Sequence, residues 1–241
     1  MTQHSKRCHR LIFQKKYIAT FILNKPLSMK KYLAEIIGTF ILIFAGTGCV
    51  VVNQQMGGAL GLTGIAMVWG FVIIAMIYAF GDISGTHLNP AVTVSFAVDK
   101  RFEWKEVPAY LGSQFTGAIA ASFLLHFLFP ENKTLGITQP TGSELQAFIM
   151  EAVMTFILMM VILRVSVGAK EKGITAGIAI GGTVWFLVLF GGPVCGTGLN
   201  PTRSIAPAIV AGNFEHLWLY IVAPFVGALS AVAVHRVIHT E

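Results

Sequence analysis

The sequence predicts an all-α membrane protein: six membrane-crossing helices plus two re-entrant half-helices, built as two inverted three-helix repeats. Three observations predict it. Of the 241 residues 55% are hydrophobic and only 12% charged, whereas soluble domains carry about 25% charge, so most of the chain faces lipid. Six runs approach the roughly 20 apolar residues that a bilayer asks of a helix. The run Gly85-Thr86-His87-Leu88-Asn89-Pro90-Ala91 returns as Gly196-Thr197-Gly198-Leu199-Asn200-Pro201-Thr202.

This composition excludes a soluble enzyme, a disordered protein and a nucleic-acid binder. The net charge of +6 does not restore nucleic-acid binding, because the basic residues mark one side of the membrane rather than a binding face. Cys8, Cys49 and Cys195 are odd in number and far apart, so they make neither a disulfide framework nor a zinc site. No cofactor and no metal are expected.

Residues 1–28 begin the chain as a basic extension, with Lys6, Arg7, Arg10, Lys15, Lys16 and Lys25. Lysines interrupt its apolar part and no small-residue cleavage site follows, so a removed signal peptide is not expected. The spans follow at 32–52, 60–80, 107–129, 145–165, 174–192 and 217–237. Between spans two and three, and again between five and six, lie apolar stretches at 88–98 and 199–211. Both are too short to cross, and each carries Asn-Pro at its start. Proline suits a first helical position, whose N–H would be unpaired anyway, so each stretch reads as a half-helix that re-enters the membrane.

Every lysine and arginine except Lys133 and Arg203 falls on one side of these spans. By the positive-inside rule that side, with both termini, is cytoplasmic. A multi-pass protein of the cell membrane is the expectation, with its basic rim able to touch anionic lipid heads.

The repeat extends beyond the Asn-Pro runs. Gly64-Ile65-Ala66 matches Gly177-Ile178-Ala179, Tyr110 with Gly117-Ala118 matches Tyr220 with Gly227-Ala228, and Glu35 pairs with Glu151. Each copy (29–130 and 144–241) holds three spans, so the second copy sits upside down. Inverted repeats with broken helices place their functional site near the bilayer midplane. Residues 29–241 therefore form one domain, whose two Asn-Pro half-helices meet head to head. Gly57, Gly61, Gly64, Gly173, Gly177 and Gly181 are expected at close helix crossings.

Together, SGTHLNPAVT at 84–93 and GTGLNPTRS at 196–204 resemble the major intrinsic proteins, the aquaporin and glycerol-channel family. RFEWKEVPAY at 101–110, PTGSELQAF at 140–148 and LFGGPVCG at 189–196 are similar to its nodulin-like branch. Thr202 departs from the family's usual alanine. The resemblance implies an aquaporin-like fold, a homotetramer with one pore per subunit, and no enzymatic activity. It also implies a constriction on the outer side formed by Trp69, Val188, Thr197 and Arg203. Water-selective members usually carry histidine at the position of Val188.

The residues themselves explain how such a pore works. Backbone carbonyls of Gly85, Thr86 and His87, and of Gly196, Thr197 and Gly198, replace the hydration that a solute loses. Asn89-Pro90-Ala91 and Asn200-Pro201-Thr202 start the half-helices at the midplane, where the asparagine amides donate to passing oxygens. Each helix N-terminus carries about half a positive charge, so two facing each other repel cations and interrupt a proton-conducting water chain. Arginine at membrane depth is costly unless it lines water or is paired, which places Arg203 at the pore. An apolar wall of Trp69 and Val188 opposite this donor suits a polyol such as glycerol.

Glu35 and Glu151 are read as structural carboxylates that accept from the backbone N–H groups of the re-entrant loops. The competing reading, a proton relay, would make the protein a coupled transporter. His87 buttresses its own loop, and Cys195 is read as a packing residue, with sensitivity to mercurials as the alternative. A passive channel for water and small uncharged solutes such as glycerol, excluding ions and protons, is the leading expectation. The alternatives are a channel for uncharged metalloid hydroxides (arsenous, boric or silicic acid), a water-selective pore, and a proton-coupled secondary transporter.

Overall fold

The computed structural model describes residues 27–166 and 170–238. The expected extension lies outside the described residues up to residue 26. The helices are α1 (Leu27–Gln55), α2 (Gly61–Ser84), α3 (Pro90–Val98), α4 (Val107–Leu128), α5 (Glu144–Val165), α6 (Lys170–Cys195), α7 (Pro201–Ala211) and α8 (Leu217–Ile238). A 3₁₀ turn, Trp104–Glu106, leads into α4, whose proline lies in the first turn. Six of these elements are long and apolar enough to cross a membrane. The other two, α3 and α7, hold 9 and 11 residues. At about 1.5 Å per residue they reach roughly halfway through a bilayer core of about 30 Å.

Local chemistry fixes where the half-helices begin and end. Asn89 caps α3 by accepting from Ala91 N at 2.9 Å, and Asn200 caps α7 by accepting from Thr202 N at 3.1 Å. Proline follows each cap, in the first turn where no backbone donor is needed. Helix α3 gives way to Lys100 in the left-handed region (φ 62°), and α7 stops at Gly212 (φ 69°).

The packing repeats with the sequence. Helix α1 packs extensively on α4, and α5 packs equally closely on α8; α2 and α6 join the two halves. Each half-helix also lies against the last span of the opposite repeat, α3 on α8 and α7 on α4. That exchange locks the two copies into one body.

Three glycine contacts carry the closest approaches. A Cβ at Gly70 would stand 2.9 Å from the Gly181 carbonyl oxygen, and one at Gly181 would stand 2.5 Å from that of Gly70. Gly117 on α4 abuts the Ile36 carbonyl, and its repeat partner Gly227 on α8 abuts the Ala152 carbonyl. Any side chain there would separate the paired helices. Gly177 is tight as well, since a Cβ would meet Tyr78 Cε2 at 3.0 Å.

Gly57, Gly61 and Gly64 do not serve close crossings as expected. Gly57, in the turn before α2, and Gly61, its first residue, adopt left-handed backbone (φ 62° and 60°) with open space around them, and Gly64 touches only Leu60. Glycine at 57 and 61 answers to turn geometry rather than to packing. The packing around Gly173 lies outside the described residues.

Candidate functional site

The two re-entrant loops share one backbone solution. Gly85, Thr86 and Leu88 have φ values of 80°, 50° and 50°, and Gly196, Thr197 and Leu199 repeat them at 73°, 45° and 57°. Non-glycine residues in this region are strained unless their surroundings hold them. Here the holding groups are the two buried glutamates.

Glu35 Oε1 accepts from His87 N at 2.9 Å and Ser84 Oγ at 2.8 Å, while Oε2 accepts from Leu88 N at 2.8 Å and Gln114 Nε2 at 2.8 Å. Glu151 Oε1 accepts from Gly198 N at 2.6 Å and Cys195 Sγ at 3.3 Å, and its Oε2 accepts from Leu199 N at 2.8 Å. Both carboxylates are fully buried. Each is occupied by donors that would otherwise be orphaned in a membrane interior, where an unmet N–H is expensive.

Tyr110 and Tyr220 add a second pair of props. Tyr110 donates to the Ser84 carbonyl at 2.8 Å, and Tyr220 to that of Cys195 at 2.6 Å. Cys195 is therefore the repeat partner of Ser84. Its thiol is fully buried and directed at Glu151 and the Gly191 carbonyl, which is a packing environment and not a reactive outer-mouth thiol.

The copies differ at one loop position. Gly198 sits where a Cβ would meet Ser204 Oγ and Tyr220 Cδ1 at 3.0 Å and Glu151 Oε2 at 3.2 Å. Its counterpart, His87, places its ring among Phe96, Phe102 and Tyr110 at centroid distances of 4.9, 4.8 and 5.0 Å. His87 Nδ1 also lies 3.2 Å from Thr93 Oγ1.

At the junction, Asn89 Nδ2 donates to the Leu199 carbonyl at 2.8 Å and Asn200 Nδ2 donates to the Leu88 carbonyl at 2.7 Å. Each amide nitrogen carries a second hydrogen. The half-helices thus meet N-terminus to N-terminus, crossed by two reciprocal hydrogen bonds.

A cavity of about 580 Å³ leads to this junction. Arg101 and Asp82 are among the residues that line it, as are the loop residues Gly85, Thr86 and His87. Asn89, Asn200, Thr197, Gly198, Trp69 and Val188 line it too. Pro90, Ala91, Pro201, Thr202, Gly196 and the two glutamates are not part of its wall; they stand behind it.

Arg203, only 3% exposed, touches the cavity through Trp69, with its Cζ 5.1 Å from the ring centroid. Its Nη1 donates to the Gly136 carbonyl at 2.7 Å. Trp69 in turn fills a notch left by Gly46, where a Cβ would lie 2.6 Å from Cζ2 of the indole. Sequence reasoning missed Ser84, Gln114, Gly46 and Gly136. A signal existed for Ser84 alone, which occupies the repeat position of Cys195.

Six spans, two head-to-head half-helices and an internal cavity reaching the asparagines at their junction define a membrane channel of the inverted-repeat class. A match to the family described as Major intrinsic protein covers residues 22–235. The chain belongs to that family, whose members are channels.

It is 45% identical over 208 residues to the Arabidopsis thaliana protein called probable aquaporin NIP4-2, covering 86% of this chain and 74% of that protein. It is 45% identical over 211 residues to Nodulin-26 of Glycine max, covering 87% and 78%, and 42% identical over 221 residues to aquaporin NIP1-1 of Zea mays, covering 91% and 78%. Its fold matches the X-ray structure of the aquaglyceroporin from Plasmodium falciparum with a TM-score of 0.78, at 24% identity over 88% of this chain and 97% of that one. The protein is a passive transmembrane channel for water and small solutes.

Proposed function

We propose that the solute class is water together with small uncharged polyols of the size of glycerol, and that ions and protons are excluded. The observation carrying this reading is the upper end of the cavity. There Trp69 and Val188 present apolar surface, Thr197 borders the same wall, and Arg203 stands behind it with its guanidinium over the indole. A polyol offers matching faces, a carbon chain for the greasy wall and hydroxyls for the donors. Valine at 188 neither narrows the passage nor donates, as a histidine there would.

In this reading Asn89 and Asn200 turn solute oxygens at the midplane, and the loop carbonyls of 85–87 and 196–198 relay them on either side. Paired helix N-termini and Arg203 keep the path positive, which excludes cations and interrupts a proton chain. The cavity mouth bearing Arg101 and Asp82 is the cytoplasmic one, the termini lie on that side, and the setting is the cell membrane. Residues 29–241 act as the transporting unit, with 1–28 dispensable, and four copies associate with one pore each. No chemical step is catalysed.

Shrink–swell kinetics of proteoliposomes test the reading directly, with water, glycerol, urea and arsenous acid as the panel. Fast glycerol entry carries the proposal. Entry of arsenous acid with glycerol excluded would favour the metalloid alternative, and water alone would favour a water-selective pore.

A further inference from the structure

Arg203 makes a single direct hydrogen bond among the described residues, to the Gly136 carbonyl, and its buried Nε has no partner. Its position therefore depends on where that carbonyl stands. The segment between α4 and α5 that carries Gly136 has no regular secondary structure, yet it is pinned at two points to α1. Close by, Gly136 lies so near α1 that a Cβ would meet the Thr47 carbonyl oxygen at 2.9 Å, and its φ of 68° favours glycine. Further along, Asn132 Nδ2 donates to Gln54 Oε1 at 3.0 Å, and Thr134 Oγ1 donates to the same oxygen at 2.9 Å.

Asn132 also gathers the turn leading to Gly136. Its Oδ1 accepts from Thr134 N at 3.1 Å and Leu135 N at 2.8 Å. Leu135, directly before Gly136, is buried and held at a left-handed φ of 48°. A leucine does not adopt that backbone unaided. The Asn132 acceptor is the local reason that it does.

We propose that Asn132 is a positioning residue for selectivity: clamped to Gln54 at the end of α1, it aims the Gly136 carbonyl at Arg203 and so fixes the guanidinium over Trp69. The inference rests on the reading of Arg203 as the donor corner of the solute path. Asn132 touches no solute. Replacing it with alanine frees the turn, lets the carbonyl drift and loosens the guanidinium. Glycerol, which uses both the donor and the indole wall, is affected more than water.

The test compares glycerol and water permeability in proteoliposomes, normalised to inserted protein, for the unaltered chain, Asn132→Ala, Asn132→Asp, Gln54→Ala and Arg203→Ala. Asn132→Ala is expected to lower the glycerol-to-water ratio about fivefold, the size expected for loss of one buried hydrogen-bonding group. Gln54→Ala, at an exposed side chain, lowers it less. Asn132→Asp restores it, because aspartate keeps the acceptor for Thr134 N and Leu135 N while the Gln54 amide turns to donate.

An unchanged ratio in Asn132→Ala, or equal loss of both fluxes with no rescue by aspartate, overturns the proposal. Should Asn132→Ala fail to insert, the Gln54→Ala ratio decides. If Arg203→Ala shifts the ratio and Asn132→Ala does not, only this proposal falls. If Arg203→Ala itself leaves the ratio unchanged, the reading of the solute path falls with it.

Discussion

The guanidinium of Arg203 lies over the indole of Trp69, with Cζ 5.1 Å from the ring centroid. Such a cation–π contact contributes about 0.5–2 kcal/mol, more where water is excluded. It also joins opposite repeats, since Trp69 belongs to α2 and Arg203 to α7. A change on either partner's support should therefore reach the solute path.

The support of Trp69 is Gly46. A Cβ at Gly46 would press on the indole at 2.6 Å from Cζ2, and the ring fills the notch completely. Gly46→Ala should push the indole towards the cavity and narrow it. Glycerol entry is expected to fall by roughly 5–150-fold if the about 1–3 kcal/mol typical of overpacking is felt in the passage, while water entry falls less. Stopped-flow light scattering on reconstituted vesicles reads both rates. An unchanged glycerol rate would mean that the ring escapes elsewhere.

The buried glutamates give a stability prediction. In Glu35→Gln or Glu151→Gln one carboxylate oxygen becomes an NH₂ group. Each oxygen of both residues accepts from a backbone N–H, so either rotamer orphans one. Each variant should lose about 1–3 kcal/mol of stability, seen as a lower melting temperature in detergent. Protein that stays folded should still conduct glycerol. Loss of flux at full stability would instead point to a proton relay.

How much of this was legible in sequence depends on whether side chains or backbone carry the feature. Asn89 and Asn200 announce themselves as caps because Asn-Pro recurs in both copies, and Glu35 and Glu151 stand out as lone carboxylates in apolar spans. The junction's acceptors are the carbonyls of Leu88 and Leu199, and Arg203 is held by the carbonyl of Gly136. A carbonyl is present at every residue, so no residue type marks it. Glycine misleads for a related reason: Gly57 and Gly70 look alike in a string, yet one relieves a turn and the other admits a carbonyl. Only the fold separates those uses.

Proton exclusion is the outcome expected from the junction. Asn89 and Asn200 bridge two half-helix N-termini, each carrying about half a positive charge. A hydronium entering from either side meets this field, and a water at the centre that donates to neither amide must turn its hydrogens outward. Vesicles holding a pH-sensitive dye should therefore show no channel-dependent proton flux under an imposed potential, while glycerol passes. A clear flux would contradict the mechanism.

The most discriminating prediction concerns Val188, buried in the cavity wall that Trp69 and Thr197 also line. Valine offers volume without a hydrogen-bonding group, so the cavity wall at Trp69 and Val188 is apolar, with the Arg203 guanidinium behind it as the nearby donor. Val188→His adds both bulk and a polar ring. The bulk narrows the passage, and the ring competes with solute hydroxyls for the same donors. Glycerol flux should fall steeply while water, which is smaller and satisfied by fewer partners, loses much less. A single added contact of this size changes discrimination by about 1–3 kcal/mol, or roughly 10–200-fold. The converse variant, Trp69→Ala, removes the opposite wall and should admit bulkier polyols. Val188→His with an unchanged glycerol-to-water ratio would move the constriction away from α6. It would leave the channel itself, which rests on the two Asn-Pro half-helices and the family match, in place.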